Sequence, residues 1–179
     1  MSARLALLVA LLALACAGTQ AGRPVHEASD DGRSRLEGVE LGSVGSPASL
    51  SQGAPWVPLI ALCRKTLDER DEGSFFLARV VLAGETFGFE HLVATGPAGE
   101  KIFPGRVVHA ESRFGVGDRR FTEEFEAPLS DADVAWLAAA GDALELRMEG
   151  TRLWIRVPPG AALVRAVQSY REQHADGAP

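Results

Sequence analysis

Leu144-Glu145-Leu146-Arg147-Met148-Glu149-Gly150-Thr151-Arg152-Leu153-Trp154-Ile155-Arg156-Val157 consists of two alternating runs joined by a turn. Leu144, Leu146 and Met148 fall on one face of the first run, and Glu145, Arg147 and Glu149 on the other. Period-2 alternation is the geometry of a strand with one buried face. Gly150-Thr151 supplies the turn, after which Leu153, Ile155 and Val157 alternate with Arg152, Trp154 and Arg156. The pattern predicts an antiparallel hairpin with an apolar face toward a core. Its Glu and Arg residues are then placed to pair across the strands.

The same logic extends outward. Pro158-Pro159-Gly160 breaks the sheet, and Ala161 to Gln173 reads as a closing helix with Leu163, Ala166, Val167 and Tyr170 on one face. Upstream, Ser130-Asp131-Ala132-Asp133 has the form of a capping box. It opens a helix with a Val134, Leu137 and Ala138 stripe that closes at Gly141. Arg106–Phe114 and Arg119–Glu126 alternate on either side of a Gly-rich loop, giving a second hairpin. Ser74 to Ala83 is apolar on both faces, as in a strand covered on two sides. Thr86 to Thr95 is a further β stretch, and Gly96-Pro97-Ala98-Gly99 turns the chain toward Lys101-Ile102-Phe103. Leu59 to Leu67 reads as a strand, although Pro58 also suits the first turn of a helix. The expected fold class is α+β: a mostly antiparallel sheet of short strands with two helices near the C-terminus.

The N-terminus has a different character. Arg4 and the amino terminus make a short positive segment, and Leu5 to Ala15 is an unbroken run of Leu, Val and Ala. This run is far shorter than the ~20 residues that cross a bilayer, so residues 1–15 read as a signal peptide. Leu14, Ala15 and Cys16 match the end of the segment, with Ala13 where a Leu is usual. The segment, over its first sixteen residues only, resembles a bacterial lipoprotein signal. That resemblance implies cleavage before Cys16, a diacylglycerol on its sulfur and usually a third chain on its amine. More than one chain is what makes such an anchor stable. By the same resemblance, Ala17 in place of an Asp points to the outer membrane, facing the periplasm. Ala15-Cys16-Ala17 and Thr19-Gln20-Ala21 also satisfy a small-x-small cleavage site. Cutting after Ala17 or Ala21 would release a soluble secreted or periplasmic product.

Residues 16–55 are rich in Gly, Ser, Asp and Pro, with isolated apolar residues such as Val25, Leu36, Val39 and Leu41. They are expected to form a disordered tether that lifts the domain off a membrane. Residues 56–179 are then a single globular domain of ordinary size.

Composition excludes several classes. The net charge is −6 and no stretch of Lys or Arg forms a stripe, which argues against nucleic acid as a partner. Cys63 is the domain's lone cysteine and lies in an apolar run, as a buried thiol would. No nucleophile elbow, zinc-binding His pair, dinucleotide loop or phosphate loop is present. His109-Ala110-Glu111 lacks the paired cysteines of a deaminase zinc site. His109, Glu111 and Arg113 share a strand face, as does any solvated set at that spacing. Alternation separates Glu123 from Glu124 and Glu126, which weakens a calcium reading. The sequence therefore predicts no enzyme, no cofactor and no metal site. It predicts a lipid-anchored cell-envelope protein with a small interaction or support domain; the alternative is a soluble secreted domain that binds a small ligand. For a protein partner, Trp154 with Arg152 and Arg156 is the best candidate surface, since Trp and Arg are enriched where binding energy concentrates. The competing reading places a helix, such as Ala161 to Gln173, over that face.

Overall fold

The computed structural model describes residues 21–29, 32–83, 86, 88–115, 118–151 and 153–175. Cys16 and Arg152 lie outside the described residues. The chain order is β1 (Pro24–Ala28), β2 (Ser34–Val44), a 3-10 turn (Pro47–Gln52), β3 (Trp56–Leu67), β4 (Arg70–Ala83), β5 (Phe89–Gly96), β6 (Gly99–Pro104), β7 (Arg106–Gly115) and β8 (Asp118–Leu129). Then follow α1 (Asp131–Ala139), a second 3-10 turn (Gly141–Ala143), β9 (Glu145–Gly150), β10 (Trp154–Arg156) and α2 (Ala161–Ala175). The strands form two antiparallel sheets, ordered β1-β2-β3-β4-β8-β7 and β10-β9-β5-β6. The fold is α+β, as the alternating runs predict.

The 56–179 domain boundary needs correction. Over Pro24–Ala28 and Ser34–Val44 the expected tether is folded, because β2 pairs along β3 and β1 pairs with β2. Val39 and Leu41 are 1 % exposed and enter the main core. The few apolar residues of this segment misled because a strand between two neighbours draws its stability from main-chain pairing as much as from its own side chains. Its glycines, which read as linker composition, include one at a close approach. A Cβ on Gly38 would lie 2.2 Å from the carbonyl oxygen of Leu62 and 2.9 Å from Cys63 Cα. Only a residue without a side chain lets β2 sit this close to β3.

The inner face of the large sheet holds the core. The small sheet covers its β8 side: Phe89 and Phe125 lie with ring centroids 5.9 Å apart, and Phe76 meets Phe125 edge-on at 6.4 Å. Leu92, Phe103, Leu146, Met148 and Ile155 from the small sheet join the same cluster. Helix α2 covers the β2 side of the large sheet. Its expected stripe of Leu163, Ala166, Val167 and Tyr170 is at most 1 % exposed. The Tyr170 hydroxyl donates to the carbonyl oxygen of Cys63 at 2.9 Å and lies 2.9 Å from Ser74 Oγ. Burial pushes the Tyr170 phenol up to about 12.

Helix α1 starts on the capping box read from the sequence. Ser130 Oγ accepts the N–H of Asp133 at 3.2 Å, and the Asp133 carboxylate accepts the N–H of Ser130 at 3.0 Å. The helix closes at Ala140, and Gly141 follows at φ 56, in the left-handed region where a side chain is strained.

The outer face of the large sheet has a second, smaller core of Val25, Ala61, Cys63, Phe75 and Leu77. It exists because the sheet coils. Strands β1 and β4 are three places apart, about 14 Å in a flat sheet. Yet Arg79 on β4 donates to both carboxylate oxygens of Glu27 on β1 at 2.6 Å. Arg79 also donates to Glu124 on β8 at 2.8 Å, so one guanidinium ties three strands together.

Candidate interaction surface

Strand β10 is the end strand of the small sheet, with Trp154 opposite Glu149, Ile155 opposite Met148 and Arg156 opposite Arg147. Ile155 is 4 % exposed and points into the core, whereas Trp154 is 62 % exposed. Helix α2 packs on the other sheet, so the reading in which it covers Trp154 does not hold. Leu146 is 1 % exposed, which fixes the faces of the β9–β10 hairpin as the sequence predicted.

Cross-strand registers continue this face across the small sheet, open at Trp154 and Ile102 but closed over Val93, which is 1 % exposed. One row runs Arg156, Arg147, Val93, Ile102, and the next runs Trp154, Glu149, His91, Pro104. Ile102 is 58 % exposed, so two large apolar side chains mark opposite ends of the face. Between them lies a lattice of charges. Arg156 donates to Glu145 at 2.6 Å; Arg147 donates to Glu149 at 2.6 Å and to Glu100 at 3.3 Å. The Arg–Glu pairing across the hairpin was legible in the sequence. Glu100 and Ile102 were not, because alternation within β6 does not reveal which strand β6 faces two places away. A depression of about 370 Å³ lies among Trp154, Arg156, Arg147, Glu145, Glu149 and Thr95. Its charged walls are paired with one another, so it offers one exposed indole edged by arginines rather than a buried polar center.

Of the other residues singled out from the sequence, His109 and Glu111 stay together on one strand, while Glu123 and Glu124 are separated by the fold. His109 and Glu111 are exposed on the edge strand β7, opposite Glu124 and Thr122. Arg113 lies opposite Arg120. Glu123 is 1 % exposed on the inner side and accepts the Gly88 N–H at 3.2 Å. Glu124 instead faces outward to Arg79. Among the described residues, no three His, Cys, Asp or Glu side chains converge as metal ligands. Cys63 is buried and burial pushes its thiol up to about 12, so it is held as the unreactive thiol at neutral pH. Trp136 lies on α1 with the Lys101 ammonium 5.2 Å from its ring center, and Lys101 is also 3.0 Å from Asp133. That indole is engaged in holding the β5–β6 hairpin to α1.

A second concavity, of about 250 Å³, lies on the outer face of the large sheet. Leu36, Phe75 and Leu77 line it together with Lys65, Arg79 and Glu124. Arg79 is committed to Glu27 and Glu124, so this groove belongs to the fastening of β1.

No family model, curated protein or solved structure matches this chain. Among the described residues, no helix is long and apolar enough to cross a membrane.

Proposed function

We propose that this chain is a lipid-anchored cell-envelope protein, held through Cys16 at the outer membrane facing the periplasm. In this reading its domain carries out no reaction, needs no cofactor, and docks a protein partner on the outer face of the small sheet. The observation that carries the docking role is the 62 % exposure of Trp154 on a strand paired to β9, beside Arg156. A large aromatic held open on a strand loses little entropy on binding, and its burial supplies much of a contact's energy. The observation behind the anchor is the Leu14-Ala15-Cys16 ending of the apolar run. The fold supports a short reach from that anchor: with β1 starting at Pro24, few residues separate Cys16 from the sheet.

The second reading, a soluble secreted domain for a small ligand, draws on the depression beside Trp154, whose volume of about 370 Å³ is that of a small-molecule site. Its paired charges and shallow walls favor a protein surface over a ligand that must be enclosed.

Two experiments test the proposal. Wild-type chain is expected to incorporate a fatty-acid probe and fractionate with membranes, and Cys16→Ser to do neither; an unlabelled wild type overturns the anchor. A photo-crosslinking residue at Trp154 is expected to trap a protein in the envelope, and the same group at Glu172 on α2 to trap none. Equal trapping at both positions, or none at either, overturns the docking face.

A further inference from the structure

The edge of β10 carries the docking proposal one step further. Gly150 N–H donates to the Leu153 carbonyl and Val157 N–H donates to the Leu146 carbonyl, both at 2.9 Å. With Ile155 opposite Met148 between them, residues 153, 155 and 157 turn their amides toward β9. In an antiparallel ladder the alternate residues turn theirs away. Trp154 and Arg156 therefore present two N–H and two C=O groups along the free side of the strand. Among the described residues no strand pairs with that side. Such a row of groups is a template for another strand.

Resting on the docking role proposed above, we infer that this edge pairs with a second copy of the chain, antiparallel through β10, about a two-fold axis at Ile155. The edge is complementary to itself in that register. Trp154 of each copy lies opposite Arg156 of the other, and each such pair exchanges two backbone hydrogen bonds. All the outward groups of Trp154 and Arg156 are then satisfied. Each indole also receives a guanidinium beside it, and of the aromatic rings the indole attracts a cation best. Neighboring registers lack this match. Moving two residues one way sets Arg156 opposite Arg152, and moving two the other way sets Arg156 opposite Arg156. Like charges directly opposite are destabilizing. Pro158 and Pro159 follow β10 and cannot donate to a longer ladder, so the pairing stops at this short strand. A two-fold contact also closes on itself and yields a dimer rather than a fiber.

Sedimentation equilibrium of the chain purified from its envelope in mild detergent tests the inference. The wild type is expected to reach a dimer within the micromolar range. Arg156→Pro removes the outward N–H from each copy, two of the four intermolecular hydrogen bonds, while sparing the ladder to β9. It is expected to raise the dissociation constant by about tenfold or more while the melting curve measured at a dilution where both chains are monomeric stays unchanged. If Arg156→Pro fails to fold, Arg156→Glu removes the cation from the indole at an exposed position and is expected to weaken the dimer in the same direction. A wild type that remains monomeric overturns the inference, as does a dimer that survives the folded variants unchanged. A monomeric wild type that still crosslinks at position 154 to a different envelope protein sinks the self-pairing alone and leaves the docking face standing.

Discussion

Gly38→Ala tests whether the glycine-rich N-terminal segment is part of the folded domain. The added methyl would lie 2.2 Å from the Leu62 carbonyl oxygen and 2.9 Å from both Cys63 Cα and Sγ. The Cys63 thiol can turn aside, but the Leu62 carbonyl and Cys63 Cα belong to a central strand paired on both sides. To restore ordinary contact, β2 must move away from β3 by more than about 1 Å, which strains or breaks the ladder around Gly38. Overpacking of this kind costs about 1–3 kcal/mol. Loosening β1, which pairs with Gly38 through Val25, also opens the outer core and adds to that figure. A loss near 3 kcal/mol, with a urea slope of about 1–3 kcal/mol per molar, lowers the unfolding midpoint by about 1–3 M. The assay is urea denaturation followed by tryptophan fluorescence. In a disordered tether the same change is neutral, or slightly favorable through the unfolded chain. An unchanged or raised midpoint would therefore refute the assignment of β1 and β2 to the sheet.

Leu146→Ala removes a fully buried side chain of the small sheet and is expected to cost about 2–5 kcal/mol in the same denaturation assay. Tyr170→Phe takes the hydroxyl from the Cys63 carbonyl and from Ser74; a loss of about 1–2 kcal/mol is expected, and a gain would show that the buried hydroxyl is not satisfied. The His174 ring lies tilted against Tyr170 with 4.5 Å between ring centers, and burial, aided by the charge of Arg64, lowers its pKa from 6.5. Its neutral form is the folded one, so its contribution is complete above pH 6.5 and fades as pH falls through the lower folded value. His174→Gln should flatten that part of the stability–pH profile relative to wild type, and a variant profile parallel to wild type down to pH 5 counts against the assignment.

Much of the fold was legible because its strands alternate locally. Leu144 to Val157 declares its buried face, and Ser130 to Gly141 declares both ends of a helix through a capping box and a left-handed glycine. Strands β1 and β2 were illegible for the opposite reason. Their order depends on pairing with β3, a partner that no local pattern identifies, and Gly38 is required by a contact invisible until the strands are side by side. The candidate site divides in the same way. Trp154 and Arg156 were legible from the period of one strand. Ile102 and Glu100 joined them only through the β5–β6 and β5–β9 registers. That Trp154 would be open depended on where α2 docks, and the amphipathic stripe of α2 fits either sheet equally well as a sequence.

Trp154→Ala distinguishes an open docking face from a buried aromatic when stability and partner capture are measured on the same purified variant. An open docking face leaves the stability within about 0.5 kcal/mol of wild type, as at a surface position, and loses the partner trapped by the wild-type chain. A loss of about 3–5 kcal/mol, the cost of truncating a buried aromatic, or full capture by a stable variant, would contradict it.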